Sequence, residues 1–146
     1  MSGDLRDRAE IQELTGRYAL CVDTQDVEGM VGLWTDDGAF DASATGLPRI
    51  EGIDAIRRFF ESTGPNARSR CHLMANLVLD EIDGDRARGT CYFSSELVTL
   101  SGARLATKGY YEDDYARVDG RWRLRHRKVV PLIAPSPEDL ATALGQ

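Results

Sequence analysis

The chain of 146 residues has an ordinary globular composition, with 42% hydrophobic and 29% charged residues. This length predicts a single domain over residues 1–146, large enough to bury a core of its own. The 24 acidic and 18 basic side chains give a formal net charge of −6. Because no excess of positive charge is present to neutralise phosphates, a nucleic-acid partner is not expected.

Cysteine and histidine usage gives no indication of a metal site. Cys21, Cys71 and Cys91 lie in apolar contexts without metal-ligand spacing, and His72 and His126 are far apart in the sequence. Free thiols in a reducing cytoplasm are therefore expected, with no metal. No cofactor is expected either, since a glycine-rich phosphate loop and a nucleophile elbow are both missing. No stretch approaches the roughly 20 apolar residues of a membrane span, which favours a cytoplasmic location.

The first half of the sequence predicts three helices, because its apolar residues recur close to every 3.6 positions. These helices are expected over residues 4–24, 27–34 and 52–60. Asp26 is typical of an N-cap for the second helix, and Gly64-Pro65 indicates the end of the third. Between the second and third helices, Asp36-Asp-Gly38 predicts a turn and residues 39–42 a short strand.

The second half predicts four long strands, over residues 70–81, 86–100, 103–118 and 121–132. Their joints contain Asp83-Gly84, Ser101-Gly102 and Asp119-Gly120, and Asp-Gly between β-rich segments is a strong hairpin signal. The strands therefore form an antiparallel meander, and helices gathered at one end of the chain favour an α+β fold. The tail over residues 135–146 predicts a loosely held segment or a subunit contact.

Two residues from different halves of the chain carry the main chemical hypothesis. Asp23 ends the first predicted helix, where the helix dipole disfavours a carboxylate that lacks a partner. His72 opens the apolar run of the first long strand. A carboxylate that faces an imidazole fixes its tautomer and stabilises the imidazolium formed when the ring accepts a proton. The structural alternatives are helix capping for Asp23 and a backbone-bonded core position for His72.

Five segments between about residues 5 and 131 carry a family resemblance. They are Tyr18-Ala-Leu-Cys-Val-Asp23, Leu33-Trp-Thr-Asp-Asp-Gly38, Gly52-Ile-Asp-Ala-Ile56, His72-Leu-Met-Ala-Asn76 and the run from Gly109 to Trp122. In order and spacing the chain resembles nuclear transport factor 2-like proteins, and among them the SnoaL-like polyketide-cyclase branch. The resemblance implies a cone-shaped α+β fold, with three N-terminal helices packed on a curved antiparallel sheet around an apolar pocket. It does not specify a reaction, since this superfold hosts many functions.

The resemblance also implies roles for three residues. Family members with an Asp and a His at these positions include a dehydrochlorinase and a scytalone-type dehydratase, both cofactor-free lyases. In them the His is the base and the Asp its orienter, which implies these roles for His72 and Asp23. The dehydrochlorinase has a lysine where this sequence has Tyr18. This difference argues against halide elimination, and a tyrosine there suits a substrate oxygen as hydrogen-bond donor.

Alternation along the predicted strands supplies further candidates. Tyr111 and Tyr115 share one face of the third long strand, where they are expected to line the core or the pocket. At least one of them is expected to have a structural role, because buried tyrosines need hydrogen-bond partners. Arg117 continues this face and matches a substrate-contacting position of the dehydrochlorinase, with a surface strand-end arginine as the alternative.

His126 shares a face with Trp122 and Leu124 if the fourth long strand alternates regularly. It is therefore expected to point towards the helices or the pocket, as a second acid or as a rim residue. The basic cluster over residues 121–128 otherwise predicts the solvated edge of a strand.

Three more residues complete the predicted substrate contacts. They are Tyr92, which is either exposed or pocket-lining, together with Trp34 and Met74.

These residues and the family resemblance together imply a cofactor-independent lyase of the dehydratase type that acts on a small apolar, oxygenated substrate. His72 removes a proton beside a carbonyl, Asp23 supports the imidazole, and Tyr18 or Tyr111 stabilises the oxyanion or protonates the departing hydroxyl. A polyketide cyclase and a ketosteroid-type isomerase share the same first step and stay open, as does a non-catalytic binding module. A homo-oligomer, dimer or trimer, is expected from the family.

Overall fold

The described part of the chain, residues 2–136 and 138 of a computed structural model, includes three α-helices, two short 3-10 helices (Ser43–Thr45 and Gly64–Asn66) and six strands. The helices are α1 (Ser2–Thr24), α2 (Val27–Gly32) and α3 (Ile53–Thr63). The strands are β1 (Trp34–Asp41), β2 (Arg49–Glu51), β3 (Ala67–Asp83), β4 (Arg86–Thr99), β5 (Arg104–Val118) and β6 (Arg121–Ile133). The predicted α+β class and its three helices are confirmed. Most of the tail over residues 135–146, predicted as a loose segment or subunit contact, lies outside the described residues.

Helix α1 lies against β3 and β6 through its apolar face. Ile11, Leu14 and Tyr18 are buried on this face at helical spacing. The opposite face is exposed and carries ion pairs such as Arg8 with Asp4, with Nε and Oδ1 3.0 Å apart. Surface pairs of this kind contribute only about 0.3–0.5 kcal/mol, so burial of the apolar face is what holds the helix on the sheet.

Helix α2 begins at the predicted cap. The Gly29 backbone N–H donates a hydrogen bond of 2.9 Å to Asp26 Oδ1, which confirms Asp26 as the N-cap. The helix ends at Gly32, because Leu33 and Trp34 already belong to the connection and to β1.

The sheet has the strand order β2-β1-β6-β5-β4-β3. Strands β3 to β6 are successive antiparallel neighbours, so the predicted four-stranded meander is confirmed. Strand β1 pairs with β6 in parallel, and the expectation of a wholly antiparallel sheet is wrong at this pair. The reason is topological: β1 reaches the free edge of β6 through a long crossover that includes α3 and four strands, not through a hairpin.

The predicted turn at Asp36-Asp-Gly38 lies inside β1. A register shift between Trp34 and Ala39 absorbs these residues as an irregularity of the strand. Gly38 is needed there because a Cβ atom would come within 2.9 Å of Trp34 Cε3.

A second irregularity, in β6, decides which side chains enter the core. Asp114 pairs with His126 and Tyr115 with Leu124, so Arg125 is an extra residue without a partner on β5. A bulge of this kind reverses the inside–outside alternation of the strand beyond it.

The reversal overturns two expectations. Trp122 and Leu124 are buried before the bulge, whereas Arg127 and Val129 are buried after it. His126 therefore points to the outer face, and its predicted position on the face of Trp122 and Leu124 is wrong. The predicted solvated strand edge over residues 121–128 is also wrong for Arg127, whose side chain is fully buried.

The core between α1 and the sheet is rich in aromatic side chains. Its largest members include Tyr18, Trp34, Phe40, Phe93 and Tyr111. Within the described residues, no helix has the length and apolarity needed to cross a membrane.

Candidate active site

Asp23 and His72 are in direct contact. Asp23 Oδ1 lies 2.7 Å from His72 Nδ1, and Asp23 Oδ2 accepts a hydrogen bond of 2.8 Å from the His72 backbone N–H. Both carboxylate oxygens of Asp23 therefore bind His72, one at its ring and the other at its backbone. Together these bonds hold the His72 side chain and strand β3 in place. With Nδ1–H donating to the carboxylate, the lone pair of the neutral ring lies on Nε2.

The local structure explains why the two side chains meet. Asp23 lies in the last turn of α1, one residue after Val22, which packs against the core. His72 is on β3, where its neighbours Cys71 and Leu73 are exposed and its own side chain turns inward. The carboxylate at the unfavourable end of the helix dipole thus has a partner from the sheet.

The second ring nitrogen of His72 is not used in a hydrogen bond to the described residues. The side chains of His72 and Asp23 are 19% and 23% exposed, so the pair lies at the rim of the core and not within it. Among the described residues, none hydrogen-bonds to His72 Nε2. The arrangement provides an oriented imidazole whose proton-accepting atom has no partner among the described residues.

A small cavity lies beside Arg70, two residues before His72. Arg70 donates a hydrogen bond of 2.5 Å to the Gly64 carbonyl and ties the end of α3 to β3. The cavity measures about 10 Å³ and is lined also by Val22 and Phe60, but by neither Asp23 nor His72. A space of this size holds one water molecule.

Behind the pair lies a buried cluster of tyrosines around one arginine. The guanidinium carbon of Arg127 lies 4.2 Å from the ring centroid of Tyr18 and 4.1 Å from that of Tyr111. Burial raises the pKa of Tyr18 to about 12, while the charge of Arg127 acts in the opposite direction. Burial also raises the pKa of Tyr111 well above its usual value. Both phenols are therefore hydrogen-bond donors, not bases, at neutral pH.

Asp113 neutralises the arginine. Arg127 Nε donates to Asp113 Oδ1 at 2.8 Å and Nη2 donates to Oδ2 at 2.7 Å, and the Tyr115 hydroxyl donates to Oδ2 at 2.7 Å. Burial alone would lower the pKa of Arg127, but the Asp113 carboxylate outweighs it and raises that pKa well above its usual value. The arginine is a permanent buried cation.

An apolar wall connects the pair to the cluster. Met74, on the same strand as His72, pairs with Phe93 across β3 and β4, and the Phe93 ring stacks on Tyr111 with centroids 4.5 Å apart. Trp34 closes the far side, with its ring centroid 6.5 Å from that of Tyr18. Of the sequence-based candidates, Tyr18, Tyr111, Trp34 and Met74 thus lie in this interior, and the Asp23–His72 pair lies at its rim.

Two predicted substrate contacts lie elsewhere. Tyr92 is 42% exposed on the outer face, where it packs against Tyr110, because Cys91 and Phe93 take the inward positions of β4. His126 is also on the outer face, with Nδ1 3.7 Å from Asp114 Oδ2 and Nε2 3.3 Å from Arg49 Nη1.

Arg117 and Tyr115 have structural partners. Arg117 binds Asp7 and Asp85 at 2.8 Å each and lies over the Trp122 ring, so it ties α1 to the far end of the sheet. Tyr115 faces inward as predicted, and its hydroxyl is used by Asp113.

Sequence reasoning missed Arg127 and its partner Asp113. A signal was present in the apolar positions of β6. Trp122 and Leu124 have even numbers and Val129 an odd one, so all three can face the core only if the alternation breaks between Leu124 and Val129. Within the described residues, His, Cys, Asp and Glu side chains form no group of three or more that could hold a metal ion.

Comparisons with known proteins identify the family to which this fold belongs. A family model of the SnoaL-like domain matches residues 3–128. A structure described as an aromatic ring hydroxylase from Novosphingobium aromaticivorans is 28% identical, covers 88% of this chain and 91% of its own, and has a TM-score of 0.85. A protein of unknown function from Mycobacterium tuberculosis is 30% identical over 99% of this chain and 88% of its own, with a TM-score of 0.82.

A more distant structure shares the fold. A hexachlorocyclohexane dehydrochlorinase is 20% identical over 89% of this chain and 88% of its own, with a TM-score of 0.82. Among curated proteins, none matches the chain in sequence. The family model covers most of the chain and fits the observed α+β fold. The chain therefore belongs to the SnoaL-like domain family.

Proposed function

We propose that this protein is a cofactor-independent lyase of the dehydratase type, acting on a small apolar molecule that carries a carbonyl and a hydroxyl group two carbons away from it. His72 is the general base, Asp23 its positioning residue, and Tyr18 the hydrogen-bond donor to the substrate oxygen. The observation that carries the proposal is the contact of 2.7 Å between Asp23 Oδ1 and His72 Nδ1, which leaves Nε2 without a partner among the described residues.

The reaction begins with proton abstraction. His72 Nε2 takes a proton from the carbon beside the carbonyl, and the electron pair of that C–H bond forms an enolate. The enolate then collapses to a double bond and expels the hydroxyl group, which takes the proton from the imidazolium and leaves as water. The net change is loss of one water molecule, and His72 returns to its neutral form.

Asp23 and Tyr18 support the two charges that develop. The Asp23 carboxylate stabilises the imidazolium and keeps Nε2 directed away from the helix. Tyr18, with a pKa of about 12, stays protonated and donates to the enolate oxygen.

Substrate entry requires the core to open, because Tyr18 is only 3% exposed. The rival from another class is a binding module whose ligand is held without chemistry. The rival predicts binding without proton abstraction, so one assay separates the two.

The test uses two probe ketones. With 2-tetralone in D₂O, NMR follows replacement of the hydrogens next to the carbonyl by deuterium, which requires a base but no leaving group. With 3-hydroxy-1-tetralone, loss of water gives 1-naphthol, whose absorbance is easily followed. We expect the protein to accelerate both reactions. Exchange without dehydration would favour the isomerase or cyclase alternatives, and acceleration of neither would favour the binding module.

The assay has a matched pair of variants. His72→Gln should lower the accelerated rate by about 10²- to 10⁴-fold, the usual contribution of a general base. His126→Gln replaces the other histidine, on the outer face, and should leave the rate unchanged. A fully active His72→Gln protein would refute the proposed mechanism.

A further inference from the structure

Three elements meet at the corner of the molecule that holds Asp23 and His72. The last turn of α1 carries Asp23, the first half of β3 carries His72, and α3 ends there at Thr63, directly before Gly64. Strand β3 lies at the edge of the sheet, so within the described residues no strand pairs with it on the side away from β4. Contacts with the two helices therefore decide how firmly this part of β3 is held.

A contact joins each two of these three elements. Asp23 binds the ring and the backbone of His72 and so joins α1 to β3. Arg70 Nη2 donates a hydrogen bond of 2.5 Å to the Gly64 carbonyl and joins β3 to α3. Gln25 approaches Gly64 so closely that a Cβ atom there would lie 2.7 Å from Gln25 Oε1, which joins α3 to α1. The three contacts form a closed triangle, in which each contact limits the movement allowed at the other two.

The hydrogen bond of Arg70 suits the end of a helix. The last carbonyls of a helix have no partner within it, and the helix dipole favours a cation beside them. Helix α3 has no basic residue in its own last turn, so Arg70 supplies this cation from the strand. Its Nη2 also lies 3.5 Å from the Thr63 carbonyl. A hydrogen bond from a charged donor is stronger than one between neutral groups, so its loss would open the triangle on the side of α3.

From this triangle we infer that Arg70 is a positioning residue for His72. The inference rests on the proposed function in taking His72 as the general base. Arg70 and His72 are two residues apart, so both side chains turn to the same side of β3. Val22 and Gln25, on either side of Asp23 in the sequence, line the same small cavity as Arg70. Arg70 therefore lies against the turn that presents the carboxylate, and its loss affects both members of the pair.

One test measures the position of His72 without any catalysis. In nitrogen-15-labelled protein, NMR follows exchange with water of the His72 backbone proton and of the proton on Nδ1, both of which face Asp23 oxygens. Arg70→Met keeps an apolar side chain and removes the donor. Both protons should exchange about tenfold faster in this variant, the effect expected from losing a hydrogen bond of a charged group. Unchanged exchange would overturn the inference.

The same strand offers a matched control. Arg68 Nη2 donates a hydrogen bond of 3.2 Å to the Leu100 carbonyl, away from both helix ends. Arg68→Met therefore loses the same kind of bond on β3 but should leave both His72 protons unchanged. Acceleration equal to that in Arg70→Met would show a general loosening of the strand and would contradict the positioning role.

A conservative variant tests the bond itself. Arg70→Lys keeps a cationic donor at the end of α3 and should restore most of the protection of the two His72 protons. Protection no better than in Arg70→Met would overturn the inference. Circular dichroism establishes that each variant is folded. Arg70→Gln, which removes the charge and shortens the side chain, takes the place of Arg70→Met if that variant does not fold.

A second test measures catalysis. In Arg70→Met, kcat for the dehydration of 3-hydroxy-1-tetralone should fall about 10- to 100-fold while KM changes little, because the base is misplaced and the substrate contacts remain. A higher KM with an unchanged kcat would show that Arg70 acts on binding and would contradict the positioning role.

The two measurements separate this inference from the proposed function. Protection of His72 that depends on Arg70, in a protein that exchanges no ketone hydrogens, would refute the lyase and support the hold of Arg70 on His72. Ketone exchange that is equally fast in the wild type and in Arg70→Met, with unchanged protection, would refute the positioning role and leave the lyase intact.

Discussion

The inner and outer faces of the sheet each carry an Asp–His pair and an Asp–Arg pair, but the pairs differ in their burial and in their hydrogen-bond partners. On the inner face, Asp23 binds His72 at 2.7 Å through one oxygen and the backbone of the same residue through the other. On the outer face, Asp114 lies 3.7 Å from His126 and also accepts a hydrogen bond of 3.0 Å from Arg88. Residue types alone therefore do not distinguish the two pairs. Both oxygens of the inner carboxylate bind one histidine, whereas the outer carboxylate has two different partners.

The Asp–Arg pairs repeat the contrast. Asp113 and Arg127 are both fully buried and joined by two hydrogen bonds, while Asp114 and Arg88 are 39% and 70% exposed in their side chains. Surface pairs are screened and contribute little, but removing one member of a buried pair leaves an uncompensated charge in the core. Paired substitutions on the two faces therefore test function and stability separately.

The largest expected effect is on catalysis. Asp23→Asn removes the charge that orients and supports His72, so ketone exchange should fall by about 10²- to 10⁴-fold. Asp114→Asn makes the same chemical change beside His126 and should leave the rate within about twofold. Rates of deuterium exchange into 2-tetralone measure both. Equal losses in the two variants would show that the inner pair has no special role.

The next effect is on stability. Asp113→Ala leaves Arg127 buried without its counter-charge and should lower the free energy of unfolding by about 3–5 kcal/mol. Asp114→Ala should cost at most about 1 kcal/mol, because its partners are exposed. Urea denaturation followed by circular dichroism measures the difference. Similar midpoints for the two variants would contradict the buried ion pair.

A third prediction concerns alkaline pH. Tyr18 has a pKa of about 12 in the folded protein, whereas an unfolded tyrosine ionises near pH 10. Because the pKa is raised on folding, the stabilisation is complete below pH 10 and is lost as pH rises towards about 12. The loss amounts to about 3 kcal/mol for two pH units.

Tyr18→Phe should flatten the fall of stability over this pH range, as measured by urea midpoints at several pH values. Tyr110→Phe, on the outer face, is the matched control and should leave the slope unchanged. An unaltered slope in Tyr18→Phe would show that this phenol does not titrate with unfolding.

The smallest expected effect is that of the outer histidine. His126→Gln should change the free energy of unfolding by no more than about 0.5 kcal/mol, as is usual for surface positions. It also provides the reference for His72→Gln, in which Asp23 loses the ring nitrogen that it orients. Thermal melting of the two variants measures this difference. A larger loss of stability in His126→Gln would show that the outer-face histidine contributes to the stability of the fold.

Much of the fold was readable from the sequence because local signals agreed. Asp83-Gly84 and Asp119-Gly120 marked two hairpins, and Asp26 marked the start of α2. The prediction that Asp23 and His72 act together came from family resemblance, since nothing local brings a helix end to a strand about fifty residues away. Their contact agrees with it, while their catalytic roles stay a prediction.

The rest of the fold and of the candidate site could not be predicted from the sequence, because most of it depends on irregularities of the sheet. The parallel pairing of β1 with β6 depends on which edge the crossover reaches, and no local signal specifies that edge. The position of Arg127 depends on one unpaired residue, Arg125, and regular alternation assigned Arg127 to solvent and His126 to the interior. The prediction for Tyr92 was wrong for a simpler reason. Cys91 and Phe93 compete with it for the inward positions of β4, and burying those two residues buries the larger apolar area.

The single extra residue at Arg125 is a place where the chain length of β6 can vary without changing the interior. Leu124 pairs with Tyr115 and His126 with Asp114, so deleting Arg125 would leave a regular strand in which Arg127 still lies opposite Asp113. Such a deletion would remove the bulge and its added local twist but would keep the buried cation in place.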